Sequence, residues 1–74
     1  MSKLLIIGGA GYIGSHVVLE FCNMGKEVVV FDNLSTGHLS NVDSRAEFIE
    51  GSILNQSELN SAFEKVKPKT VIHL

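Results

Sequence analysis

A strand carrying four consecutive large apolar residues, Lys3-Leu4-Leu5-Ile6-Ile7, runs directly into Gly8-Gly9-Ala10-Gly11-Tyr12-Ile13-Gly14, and a helical pattern starts before the glycines end. A strand without polar alternation suits the centre of a parallel sheet covered on both faces. Between strand and helix the chain must turn sharply, leave its backbone open to a ligand and pack the helix close to the strand. All three tasks favour residues without Cβ, and Gly8, Gly11 and Gly14 are placed for them. The first N–H groups of the helix have no intrahelical acceptor and carry the positive end of its dipole, so an anion is stabilised there without a cationic side chain. The glycines satisfy both Gly-x-x-Gly-x-x-Gly (8, 11, 14) and Gly-x-Gly-x-x-Gly (9, 11, 14). Strand-to-helix packing alone accounts for either spacing, so the rest of the chain has to decide between packing and ligand.

Glu27-Val28-Val29-Val30-Phe31 reads as a second buried strand with Asp32 at its carboxyl end. Asp32 follows Gly14 by close to the ~20 residues that place a carboxylate on an adenosine ribose in dinucleotide folds. An ionised Asp accepts from both ribose hydroxyls and repels a 2′-phosphate, and no Arg or Lys lies between Asp32 and Arg45 to neutralise one. The pattern therefore favours NAD over NADP. The plainer role for Asp32 is a turn cap for the loop that follows.

The 74 residues make one small domain at most, and a core of that size leaves little stability to spare. At 45% hydrophobic and 19% charged, disorder is not expected, and a net charge of -2 with no basic cluster argues against nucleic acid or an acidic membrane as partner. No apolar run approaches a membrane span and no signal-type segment opens the chain, so a soluble, cytoplasmic protein is expected. The single cysteine, Cys22, falls in a helical pattern, where a buried apolar role is expected. His16, His38 and His73 fall on a helix, a loop and a strand without ligand-like spacing, so no metal site is expected.

The first helix is predicted over 12–24, with Ile13, Val17, Phe21 and Met24 on its apolar face, Gly14, Val18 and Cys22 on the adjacent strip, and Gly25 as the stop. Residues 33–38 read as a loop over the cofactor site, with a short helical turn possible over 39–42, and a third strand over 46–50 has the mixed character of a sheet edge. Asn55 with Glu58 three residues later is a capping signal for a second helix carrying Leu59, Ala62, Phe63 and Val66. Pro68 prevents its continuation, and 70–74 is a fourth apolar strand. Right-handed crossovers through this alternation give a β-α-β-(α)-β-α-β α/β chain. It amounts to half of a Rossmann-type doubly wound parallel sheet in the order 3-2-1-4.

Gly-Gly-Ala-Gly-Tyr-Ile-Gly-Ser-His (8 to 16), Phe-Asp-Asn-Leu-Ser-Thr-Gly-His (31 to 38) and Val-Ile-His-Leu (71 to 74) resemble the N-terminal part of the UDP-glucose 4-epimerases, extended short-chain dehydrogenase/reductases. The resemblance implies an NAD that takes a hydride from C4 of a UDP-hexose and returns it to the other face of the keto sugar. It places the backbones of Tyr12 and Ile13 on the pyrophosphate and Asp32 and Asn33 on the adenosine ribose, with the loop of Ser35, Thr36 and Gly37 closing over that half of the cofactor. After the third strand the family usually carries an Asp that accepts from the adenine amino group. Here the residues are Gly51-Ser52-Ile53, and the Ser52 hydroxyl accepts that bond more weakly than a carboxylate.

The family's catalytic Ser/Thr and Tyr-x-x-x-Lys lie beyond the fourth strand, as does its sugar-nucleotide domain. The only tyrosine of this chain, Tyr12, has no lysine four residues later, so no catalytic residue is assigned and the chain alone is expected to be inactive as an epimerase. On this reading residues 1–74 form one partial NAD-binding domain that recognises the ADP portion of the cofactor. A different class of reading is a stand-alone nucleotide-binding module that self-assembles. The exposed edge of the fourth strand and an under-covered sheet face motivate it, and both predict a homo-oligomer. A third reading is a piece of a sugar-nucleotide dehydratase or decarboxylase of the same superfamily.

Overall fold

Four parallel strands in the order β3-β2-β1-β4 form the sheet of the computed structural model, which describes residues 3–35 and 37–74. In chain order the elements are β1 (Lys3–Ile7), α1 (Tyr12–Asn23), β2 (Glu27–Asp32), a single 3-10 turn (Leu39–Asn41), β3 (Glu47–Glu50), α2 (Gln56–Val66) and β4 (Thr70–His73). The strand order and the edge position of β3 are those the sequence predicts.

The absence of polar alternation in β1 has a direct structural cause. Leu4 and Ile6 face α1 and pack in one core with Val18, Cys22, Val28 and Val30, while Leu5 and Ile7 face α2 and pack in a second with Val29, Phe31, Ala62 and Val66. Both faces of a central strand are interior, so Leu4 to Ile7 are all apolar and buried, and only Lys3 at the mouth of the strand is not. β1 registers Leu5 against Val29 of β2 on one side and Val71 of β4 on the other. The expected under-covering of the α2 face is confined to its margin. Leu5, Val29 and Phe31 are all but fully buried beneath α2, whereas Val71 on β4 is 42% exposed.

Helix α1 is rotated from its expected orientation. Its buried strip is Gly14, Val18 and Cys22, with Val17 and Phe21 only partly covered, and Ile13 and Met24 are exposed. The strip with the smaller side chains lets the helix axis approach the sheet, which displaces the bulkier strip to the flank. The helix ends in a Schellman arrangement, with Gly25 N–H donating to Cys22 O at 3.0 Å, Lys26 N–H to Phe21 O at 3.1 Å, and Gly25 at φ 78.

Asn55 caps α2 by accepting from Glu58 N–H at 3.1 Å. Glu58 does not close a reciprocal capping box. Its Oε1 accepts from Ser52 N–H at 2.9 Å, tying the helix to the β3–α2 loop, while Asn55 N–H donates to Ser52 O. Ala62 and Val66 are buried on α2, but Phe63, expected in the core, lies at its rim. Lys67 ends the helix in the left-handed region at φ 50, directly before Pro68. Arg45 fastens the 43–45 turn to the end of α1, donating to both carboxylate oxygens of Asp43 and to Asn23 Oδ1.

Candidate dinucleotide site

The carboxyl ends of the parallel strands and the N-terminus of α1 meet at one edge of the sheet, where an open α/β sheet leaves its ligand crevice. Gly8 turns the chain out of β1 at φ 89, its N–H donating to Phe31 O at 2.9 Å. Gly14 sits so close beneath that turn that a Cβ on it would lie 2.3 Å from Gly8 O and 2.8 Å from Gly9 Cα. Helix and loop thus touch backbone to backbone. Gly11 differs, because the nearest atom to a Cβ there would be Gly8 O at 3.8 Å, so its missing side chain leaves open space rather than relieving a clash.

Gly11 also caps α1 without a side-chain bond, and the first turn of the helix carries no acidic residue. The first bond of the helix runs from Ser15 N–H to Gly11 O at 2.8 Å. Among the described residues, the N–H groups of Tyr12, Ile13 and Gly14 find no acceptor. Three free donors on the positive end of a helix dipole, beside open space at Gly11, fit an anionic group such as a pyrophosphate.

Asp32 faces the same opening. Its Oδ2 accepts from Ala10 N–H at 2.9 Å and its Oδ1 from Leu34 N–H at 2.8 Å. An ionised carboxylate has about four acceptor positions, so each oxygen keeps one for a diol. Asn33 Oδ1 accepts from Ser35 N–H at 3.0 Å, which leaves the Asn33 amide N–H groups as donors. A cleft of about 610 Å3 is lined by Gly8, Gly11, Tyr12, Ile13, Gly14, Asp32, Asn33, Ser35 and Leu74, a volume within the roughly 300–1,000 Å3 usual for cofactor clefts. A smaller recess of about 140 Å3 adjoins it, sharing Gly8, Asp32, Asn33 and Leu74 and adding Phe31, Gly51, Ile53 and His73.

Most of the residues singled out from the sequence therefore converge on one edge of the sheet. Two do not line either recess. Gly37 is buried against the glycine run, and Ser52 is engaged in the β3–α2 loop, its N–H donating to Glu58 and its Oγ accepting from Leu54 N–H at 3.1 Å. Thr36 lies outside the described residues. The sequence reading noted Gly9 and Gly51 but gave them no role, and the structure shows why each lacks a Cβ, which at Gly9 would fall 2.8 Å from Val30 Cγ1 and at Gly51 2.6 Å from the Phe31 ring. The sequence reading missed Ala10, whose peptide holds the loop, and Leu34, held at φ 61 by its bond to Asp32. His16 lies on the exposed side of α1 with its ring edge-on to Tyr12, 4.9 Å between centroids. Among the described residues no group of His, Cys, Asp or Glu is arranged to hold a metal ion, and no helix is long and apolar enough to cross a membrane.

A parallel β-α-β unit with a glycine turn at a helix N-terminus and a carboxylate closing the second strand defines a Rossmann-type fold of the dinucleotide-binding class. Within that class, residues 4–74 match the NAD dependent epimerase/dehydratase family, and the chain belongs to it. It is 44% identical over 70 residues to the UDP-glucose 4-epimerase of Lacticaseibacillus casei, an alignment covering 95% of this chain and 21% of that protein. The structure of UDP-glucose 4-epimerase from Brucella ovis in complex with NAD superimposes with a TM-score of 0.93 at 46% identity, over 100% of this chain and 22% of that one. The Thermus thermophilus UDP-glucose 4-epimerase complex with NAD gives a TM-score of 0.93 at 38% identity, over 96% and 23%. The chain thus spans about a fifth of the length of the first curated UDP-glucose 4-epimerases it matches.

Proposed function

We propose that these residues form the NAD-binding portion of a UDP-glucose 4-epimerase-like protein, a partial dinucleotide-binding domain that holds the ADP part of the cofactor. The observation that carries this reading is the convergence of the free N–H groups of Tyr12, Ile13 and Gly14 with the Asp32 carboxylate on one cleft. The Gly8, Gly11 and Gly14 turn, with Tyr12 and Ile13, would take the pyrophosphate. Asp32 and Asn33 would take the adenosine ribose, with Ser35, Thr36 and Gly37 belonging to the loop that closes on that half. Ile53 lines the recess where a base would lie and Ser52 stands beside it. NAD, when bound, supplies a hydride acceptor. This chain binds and orients it, and Asp32 discriminates against a 2′-phosphate by charge.

We assign binding and not catalysis to this stretch, because no tyrosine–lysine pair at the required spacing occurs in it to move a proton at a sugar hydroxyl. Interconversion of UDP-glucose and UDP-galactose is the activity proposed for a full-length parent. Calorimetry with ADP-ribose, NAD and NADP tests the assignment. NAD and ADP-ribose should bind, NADP should bind at least about tenfold more weakly, and Asp32→Ala should lose the difference. Equal binding of NADP, or an unaltered affinity in Asp32→Ala, overturns the ribose assignment.

A self-assembling module is the second reading, favoured by the outer edge of β4. Among the described residues β4 bonds to β1 on one side only, and Val71 at 42% and Leu74 at 50% exposure present apolar surface there. Unpaired strand edges of this kind template pairing with another chain, so a homo-oligomer is proposed, and a monomer by light scattering at micromolar concentration refutes it. A cytoplasmic setting keeps the lone Cys22 thiol reduced.

A further inference from the structure

Ala10 stands in the middle of the glycine run, and its backbone polar groups are held at both ends, one by the last residue of β2 and the other by the segment that follows it. Its N–H donates to Asp32 Oδ2 at 2.9 Å, and its C=O accepts from His38 N–H at 3.3 Å. Gly37 packs on the same residue. A Cβ there would lie 2.2 Å from Ala10 O, 2.4 Å from Ala10 C and 2.8 Å from Gly11 N, all backbone atoms that no side-chain rotation moves aside. The segment is itself held in place, since the second oxygen of Asp32 accepts from Leu34 N–H and Leu34 takes the left-handed conformation at φ 61. Side chains rarely adopt that region without an imposed contact.

We infer that Gly37 is a positioning residue for the anion site, acting through Ala10 rather than touching the nucleotide. With no side chain at 37, Gly37 and His38 close directly on the Ala10 peptide, and that contact fixes the course of the chain through Gly11 into the donors of Tyr12, Ile13 and Gly14. Burial of Gly37, and its absence from the lining of both recesses, point the same way. The loop that closes over the adenosine half therefore also sets the pyrophosphate half. This inference rests on the nucleotide-binding reading and narrows the role of Gly37 within it.

The test is an NMR comparison of the unsubstituted chain and Gly37→Ala, with and without ligand. In the unsubstituted chain the His38 amide, which donates to Ala10 O next to Gly37, should exchange at least about tenfold more slowly than the Tyr12 amide, which has no acceptor among the described residues. Gly37→Ala should shift the Ala10 and Gly11 amide resonances and leave those of Phe48 and Ala62 in place. Its affinity for ADP-ribose should fall at least about tenfold, while that for adenosine, which reaches only the Asp32 side, should change by less than about twofold. Equal losses for the two ligands would show direct contact with adenosine and overturn the inference. So would unaltered ADP-ribose binding. An unprotected His38 amide in the unsubstituted chain, where it donates to Ala10 O, overturns it even if Gly37→Ala does not fold. An unsubstituted chain that ignores ADP-ribose at millimolar concentration instead refutes the nucleotide reading, and the amide data then still decide the contact between Gly37 and Ala10.

Discussion

The ring of Phe31 occupies the place where a side chain on Gly51 would have to stand, with Cε2 2.6 Å and Cζ 2.7 Å from the position of a Cβ. Phe31 is among the most deeply buried residues of the α2 face, and its ring could yield only toward the small recess that it lines with Gly51. Gly51→Ala should destabilise the fold by about 1–3 kcal/mol, the range for overpacking a filled core. Because the clash belongs to one pair, Phe31→Leu combined with Gly51→Ala should cost less than the sum of the single changes. Urea denaturation of the three variants measures the difference, and strict additivity refutes the pairing.

Lys67 closes α2 at φ 50 and ψ 58, a region that penalises residues with a Cβ by roughly 1–2 kcal/mol. Lys67→Gly removes that penalty but gives back part of it through a freer unfolded chain and the loss of a cation at the helix C-terminus. The net stabilisation should be about 0.5–1 kcal/mol, seen as a rise in Tm of about 2–8 °C for a domain of this size. A lower Tm in the variant would show that the Lys67 side chain does more than tolerate its position.

Asp43 and Arg45 supply a pH dependence of known sign. The Arg45 guanidinium and N–H hydrogen-bond the Asp43 carboxyl and hold it well below the usual carboxylate range, at about 2. A carboxyl whose pKa is depressed on folding contributes stability that is complete above its unfolded value near ~4 and is lost as the pH falls through the folded one. The pair should therefore weaken the fold progressively between pH 4 and about 2. Arg45→Met should flatten that part of a denaturation-versus-pH curve. An unchanged slope would assign the acid sensitivity to other carboxylates.

Burial pushes the Cys22 thiol up, with the charge of Asp43 adding to the effect and Arg45 opposing it. The thiolate is the reactive form, and Cys22, on the sheet-facing side of α1, is 6% exposed. Ellman's reagent should therefore label the native chain at least about tenfold more slowly than a free thiol, with rapid labelling once denaturant opens the domain. Fast labelling without denaturant would mean that α1 separates from the sheet far more readily than its packing implies.

The strands and their order were legible because the covered stretch of a central strand must be apolar throughout, as Leu4 to Ile7 of β1 and Val28 to Phe31 of β2 are. Asp32 and the glycine spacing were legible because dinucleotide recognition uses backbone at fixed intervals. The orientation of α1 was not, since hydropathy ranks Ile13 and Met24 above Gly14, whereas close packing on the loop favours the residue with no side chain. Phe63 was misplaced for a related reason. An i, i+3, i+4 pattern marks a face, but how far that face is covered depends on what lies over β4. Gly37 and Gly51 could not be separated by sequence from ordinary loop glycines, because their need for no Cβ comes from Ala10 and Phe31, residues distant in the chain.

Gly14 brings α1 against the glycine loop with no side chain between them, so the surface that would receive a phosphate and the surface that packs the helix are two sides of one backbone layer. An anion gripped there pulls on the same atoms that anchor α1 to the sheet. For so small a core, bound ligand becomes part of the fold's own energy. At a hundredfold excess over Kd it would add about 2.7 kcal/mol, a large share of what a domain this size holds in reserve.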